Sequence, residues 1–99
     1  MSVIAEISLF PIGTGSPSIS QVLADSVKVF DKYHLKYDVT PTCTNVEGDL
    51  ETILNAVREM DEVPFREGAQ RVVLFMRIDD RRDKDITLEY EERSLEEKL

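Results

Sequence analysis

The chain carries one cysteine, Cys43, and one histidine, His34, among its 99 residues, and it has no tryptophan. A lone thiol excludes an intrachain disulfide and a zinc site built from cysteine pairs. It also fits a reducing compartment. A Cys–His nucleophile pair needs both residues close together and a third group to orient the base. His34 and Cys43 stand apart in the sequence, so no catalytic constellation is expected, and His34 reads as an ordinary residue at a helix C-terminus. Basic residues are also scarce: 12 Lys and Arg against 20 Asp and Glu give a net charge of −8. That balance opposes binding to nucleic acid or to an anionic membrane surface. It suits solubility first and a cationic small ligand second. Long apolar runs are missing too. The stretch Met1–Glu6 has no basic region and is interrupted by Glu6. This predicts neither a signal peptide nor a membrane span and makes the cytoplasm the expected compartment.

With 41% hydrophobic and 32% charged residues, the chain has the composition of one soluble domain, residues 1–99, with a modest core. Self-association is a natural way for such a domain to bury more surface. Along the chain, Val3, Ala5, Ile7 and Leu9 alternate with Ile4, Glu6, Ser8 and Phe10, which predicts a first strand with an apolar inner face. Pro11–Pro17 reads as a loop broken by Gly13 and Gly15. A helix follows, capped by Ser18 with Gln21 or by Ser16 ahead of Pro17. Ile19, Val22, Leu23, Val27 and Phe30 form its apolar stripe, and it should end near His34. Leu35–Val39 reads as a second strand, interrupted by Pro41 as suits an edge strand or a bend. Thr42–Glu47 reads as a third. Gly48-Asp49 turns into a second helix, with Asp49 as N-cap and Glu51 at the positive end of the dipole. Its stripe is Leu50, Ile53, Leu54, Val57 and Met60, and Pro64 and Gly68 close it. Gln70–Asp79 is the fourth strand, and a Glu-rich helical tail from about residue 87 to 99 carries Leu88, Leu95 and Leu99.

The order β-α-β-β-α-β plus a helix predicts an α+β fold, a ferredoxin-like βαββαβ sandwich with an additional C-terminal helix and strand order 4-1-3-2. Both central helices should cover the face carrying Val3, Ala5, Ile7 and Leu9 with Val72, Leu74, Met76 and Ile78. The other face would then expose Ile4, Phe10, Val73 and Phe75, an apolar patch of the kind that marks an interface between subunits. Glu6 and Arg77 fall on neighbouring strands of that face. Either they pair with each other, or Glu6 and Ser8 line a small polar pocket with nearby threonines. Thr40, Thr42, Cys43 and Thr44 add hydroxyls and a thiol at the second-to-third strand junction. Threonine suits edge strands, and hydroxyls at strand ends can also read the edge of a heteroaromatic ring.

Two loops invite other chemistry. Asp79, Asp80, Asp83 and Asp85 lack the calcium-loop pattern and are interleaved with Arg81, Arg82 and Lys84, so an ion-paired loop or inter-subunit contacts made by its arginines are expected, with an anion on Arg81 and Arg82 as the alternative. Gly13-Thr14-Gly15 lacks both phosphate-loop spacings and reads as a turn.

Three pieces of sequence carry a resemblance: Ile7–Gly15, Asn45–Asp49 and Ile78–Lys84, supported by Tyr37–Pro41 and Arg71–Ile78. In that order and near those separations they resemble the YkoF-like thiamine-binding protein family. The resemblance implies a ferredoxin-like protomer that assembles through its sheet into a dimer or tetramer. It also implies a small-molecule ligand, thiamine or its hydroxymethylpyrimidine part. At the level of residue type, Glu6 would accept from a ring amine. Ser8, Thr40, Thr42 and Thr44 would supply hydrogen bonds, and Phe10 a stacking surface. Thr42-Cys43 stands where the family pattern has a Met-Gly-like pair, which places a side chain where bare backbone would approach the ligand. The expected function is therefore a non-enzymatic, cytoplasmic, homo-oligomeric binding protein that needs no cofactor or metal. The alternative is an oligomeric interaction module that uses its acidic surface and the Leu88/Leu95/Leu99 stripe to hold a protein partner.

Overall fold

Four antiparallel strands in the order β2-β3-β1-β4 form the sheet of this computed structural model, the strand order expected from the element sequence. The structure describes residues 2–13, 19–84 and 86–99. β1 (Val3–Ile12) is central, flanked by β3 (Thr44–Gly48) and β4 (Arg71–Asp79), and β2 (Lys36–Val39) closes the far edge. α1 (Ser20–Val27) runs into a short α2 (Val29–Lys32), α3 (Leu50–Arg66) follows β3, and α4 (Leu88–Lys98) ends the chain. The proposed caps Ser16 and Ser18 lie outside the described residues, as do Thr14 and Gly15.

The inner face follows the alternation of β1. Val3, Ala5 and Ile7 are buried against Phe30, Val46, Ile53, Ala56 and Met60. Ile78, expected on the same face, is 37% exposed. β4 is an edge strand, and Ile78 lies near its end, beyond the cover of the helices. Asp49 caps α3 as expected, its carboxylate accepting from the Thr52 N–H at 3.2 Å. Pro64 does not end α3; it sits buried inside the last turn, and the helix runs to Arg66. Its carbonyl accepts from the N–H groups of Glu67 and Ala69 beyond the helix end, which closes the last turn, although the proline has no N–H to donate back along the helix. β3 begins at Thr44, not Thr42, because Thr42 and Cys43 belong to the turn that joins it to β2.

At the end of α2 the Leu35 N–H bonds the Phe30 carbonyl and the His34 N–H bonds that of Asp31. This is the double bond pattern of a Schellman stop, and His34 takes the left-handed position with φ 56°. Glycine is the usual occupant, since a Cβ there costs energy. Replacing His34 with glycine is expected to stabilise the fold by about 0.5–1 kcal/mol, the loss of strain outweighing the added freedom of the unfolded chain. Urea denaturation measures it, and a destabilised variant would mean that the imidazole contributes contacts worth more than the strain.

The face opposite the central helices is partly covered by α4. Ile86 and Leu88 are buried where α4 begins, and Thr87 caps the helix, its hydroxyl accepting from the Tyr90 N–H. Glu47 of β3 accepts from the Leu88 N–H at 3.1 Å. Lys36 of β2 bridges Glu47 and Glu89, which raises the Lys36 ammonium and lowers the Glu89 carboxyl from their ordinary values, chiefly through their shared hydrogen bond. Of the tail stripe, only Leu88 is buried; Leu95 and Leu99 are exposed. The loop after β4 is ion-paired, Arg81 with Asp83 and Arg82 with Asp80. Among the described residues no helix is long and apolar enough to cross a membrane.

Candidate functional site

β1 has a partner on both sides only over Ile4–Ile7. β3 pairs with Val3–Ile7, whereas β4 follows β1 from Ile4 to Ile12. From Ser8 onward the β3 side of the strand is open. The chain reverses there because Pro41 has no N–H to extend β2 and because Thr40 closes the turn on itself. The Thr40 N–H and its hydroxyl both donate to the Cys43 carbonyl, at 2.8 and 2.9 Å, and the hydroxyl accepts from the Cys43 N–H at 3.2 Å. Ser8 ties the open strand to this turn, donating to the Thr42 carbonyl at 3.1 Å.

Between the turn, the open end of β1 and helix α1 lies a cavity of about 550 Å³. Leu23, Ala24 and Val27 of α1, with Ile19 just before it, form one wall, Ile7, Thr44 and Met60 line it from the core side, and Phe10, Tyr37, Val39 and the turn residues complete it. Its size and its apolar walls with a few polar groups are those of a small-molecule site. Thr44 is only 6% exposed. Among the described residues its hydroxyl has no hydrogen-bond partner, and it lines the cavity. Cys43 brings its thiol within 3.3 Å of the Thr40 hydroxyl. Lys28 is the one charged side chain on the described lining, which holds no carboxylate.

Of the residues singled out in the sequence, Ser8, Phe10, Thr40, Thr42 and Thr44 gather around this cavity. Glu6 does not. It faces a separate groove of about 430 Å³ under α4, with Ile4, Asn45, Arg77 and Leu95, and its carboxylate takes a 2.9 Å bond from Arg77 directly across the strands. In the same row Asp38 lies opposite Asn45, and it pushes the carboxyl of Glu92 on α4 up from its ordinary value. Phe10 meets Phe75 edge to face, ring centres 6.3 Å apart, and both rings remain about half or more exposed.

The α1 wall is what the sequence did not disclose as part of a site. Leu23 and Val27 have the periodicity of a core stripe, and nothing in that periodicity says whether they meet side chains or a space. His34 and Cys43 sit at opposite ends of β2, before its first residue and after its last, so a strand roughly 10 Å long separates their backbones. No group of three or more His, Cys, Asp or Glu is placed to hold a metal ion among the described residues.

Residues 5–96 match the model of a family described as Thiamine-binding protein. The chain belongs to that family. It is 42% identical over 90 residues to UPF0045 protein YqgV of Bacillus subtilis, covering 87% of this chain and 86% of YqgV. It is 39% identical over 87 residues to UPF0045 protein MJ1052 of Methanocaldococcus jannaschii, covering 88% and 85% of the two chains. The crystal structure of MJ1052 superposes with a TM-score of 0.88 at 35% identity over 97% of both chains. TM0486 of Thermotoga maritima, a candidate thiamine biosynthesis/salvage protein, superposes with a TM-score of 0.79 at 27% identity, covering 96% of this chain and 99% of that one. These likenesses extend over α4 as well as the ferredoxin-like body, so the C-terminal helix is part of the shared architecture.

Proposed function

We propose that this chain is a non-enzymatic cytoplasmic binding protein for thiamine or its hydroxymethylpyrimidine moiety, acting as a homo-oligomer. One observation carries the reading: the cavity at the open end of β1, where the hydroxyl of Thr44 lies among apolar walls with no partner among the described residues. A flat heteroaromatic ring suits it, packed against Leu23, Val27 and Phe10 and hydrogen-bonded at its edge by Thr44, Thr42 and Ser8. Thr40 acts by holding the turn, since its hydroxyl is already used on the Cys43 backbone. Glu6 is assigned to the Arg77 pair on the sheet face and not to the ligand. Family membership supports the vitamin chemistry. The exposed Phe10–Phe75 pair favours self-association through the sheet, because aromatic groups on an open sheet face gain most from a matching surface. The separation of His34 from Cys43 favours a role without turnover.

A thermal-shift titration with thiamine and hydroxymethylpyrimidine, run separately, tests the reading. Saturable stabilisation by at least one is expected, about 2.7 kcal/mol at a hundred times the dissociation constant. It should weaken roughly tenfold in affinity in Thr44→Val, which keeps the shape and removes the hydroxyl. The absence of any shift at millimolar concentration of either compound would end the vitamin-binding reading for this chain.

A further inference from the structure

We infer that Cys43 is a covalent site for one half of a small-molecule disulfide, and that the attached half lies in the cavity and shuts it to the ligand. The covalent part stands apart from the vitamin reading; the closure rests on it. Cys43 is the single thiol of the chain. It is half-buried on the cavity wall, in a turn that Thr40 holds by bonds to both the carbonyl and the N–H of Cys43. The residue is therefore neither sealed in the core nor free to swing away from the recess.

The next residue supplies a second requirement. Thr44 is 6% exposed on the same lining, and its hydroxyl has no partner among the described residues. A buried hydroxyl without a partner costs free energy until something bonds it. A group arriving on the Cys43 sulfur is tethered one residue away from that hydroxyl. Its polar atoms bond Thr44, and its carbons pack on the apolar wall of Leu23 and Val27. Because the tether makes this contact intramolecular, a fragment too small to bind on its own is retained.

The step is a thiol–disulfide exchange. The Cys43 thiolate attacks one sulfur of R–S–S–R, a bond forms between the Cys43 Sγ and that sulfur, and the old S–S bond breaks with its electron pair on the departing R–S⁻. The proton given up by the Cys43 thiol passes through solvent to that leaving group, so no other oxidant or reductant enters. Thr40 assists the attack. Its hydroxyl stands 3.3 Å from the sulfur, and the Cys43 carbonyl to which it donates also accepts from the Thr40 N–H at 2.8 Å. The hydroxyl can thus turn its proton to the thiolate while the carbonyl keeps a partner. A rise in small disulfides closes the recess, and reduction reopens it.

Exchange of the reduced full chain with hydroxyethyl disulfide and mercaptoethanol, read by intact mass and peptide mapping, tests the inference. The equilibrium constant for the Cys43 adduct is expected to be roughly tenfold or more higher in the folded chain than in urea, because only the folded chain binds the attached group. Ala24→Trp, which fills the cavity from α1, should bring the constant to within about threefold of the unfolded value. Val39→Trp fills it from β2 at a side chain that is 65% exposed, and it decides the matter if Ala24→Trp fails to fold. The isolated adduct should lose ligand affinity by roughly a hundredfold for whichever of thiamine and hydroxymethylpyrimidine binds the free thiol form, and dithiothreitol should restore it. A folded-state constant equal to the unfolded one overturns the inference. So does a constant that the folded tryptophan variants leave unchanged, or an adduct that binds the ligand as the free thiol form does. If neither compound binds the free thiol form, the vitamin reading falls alone, and a raised exchange constant still upholds the covalent site.

Discussion

Replacing Phe30 with alanine will lower the melting temperature by about 15–30 °C. Phe30 is fully buried at the centre of the core, between the sheet and α3. Truncating such a ring removes its transfer energy and leaves a cavity, together about 3–5 kcal/mol. A domain of about this length loses roughly 4–8 °C per kcal/mol. The ring also supports the ligand cavity, because it packs on Tyr37 with centres 5.6 Å apart, and Tyr37 lines that cavity. Tyr37 is fixed at its other end by a 3.0 Å bond from its hydroxyl to Asp31, which pushes the phenol's proton affinity up. Phe30→Ala should therefore weaken ligand binding even at temperatures where the variant is folded, whereas Phe30→Leu should retain most of both properties. A fall of less than 5 °C in Phe30→Ala would contradict the position of this residue as the centre of the core.

Ala24→Trp is expected to abolish ligand binding, with at least a hundredfold loss of affinity and little loss of stability. Ala24 is exposed on α1 and lines the cavity wall. An indole there occupies the space that a ring ligand needs. Overpacking is costly where neighbours cannot yield, about 1–3 kcal/mol in a filled core, but an open cavity gives the side chain room. Titration of the variant against whichever compound binds the unaltered protein measures the loss, and circular dichroism melting measures the stability. Undiminished affinity in a folded Ala24→Trp would show that the ligand sits elsewhere, the groove under α4 being the other recess to examine.

Much of the fold was legible because its signals are local. The alternation along β1 put Val3, Ala5 and Ile7 inside, and Asp49 lay at capping distance from Thr52. Glu6 and Arg77 had matching parity on strands that the topology makes neighbours. Less could be read where the outcome depends on length and cover. Ile78 has the parity of the inner face but lies past the reach of the helices. Pro64 reads as a stop, yet its own carbonyl and the residues after it satisfy the turn. Ser8 was found as a polar group out of keeping with an apolar sheet face, whereas the threonines suit an edge strand and drew notice as hydroxyls gathered at the second-to-third strand junction. The α1 wall escaped notice because a leucine beside a cavity and a leucine in a packed core have the same spacing. Glu6 was grouped with Ser8 because both share a face of β1, but the Arg77 side chain claims it, and α4 separates the two halves of that face.

The mismatch in length between β1 and β3 also has a meaning for how such a protein changes over time. The Thr40–Cys43 turn forms one wall of the recess but carries none of the ladder between β1 and β4. Residues gained or lost there would resize the compartment without shifting any strand's register. The sheet of fixed register and the adjustable mouth are thus separate parts of one chain, and a new ligand preference can be acquired at the hairpin tip while the sheet that holds it stays as it was.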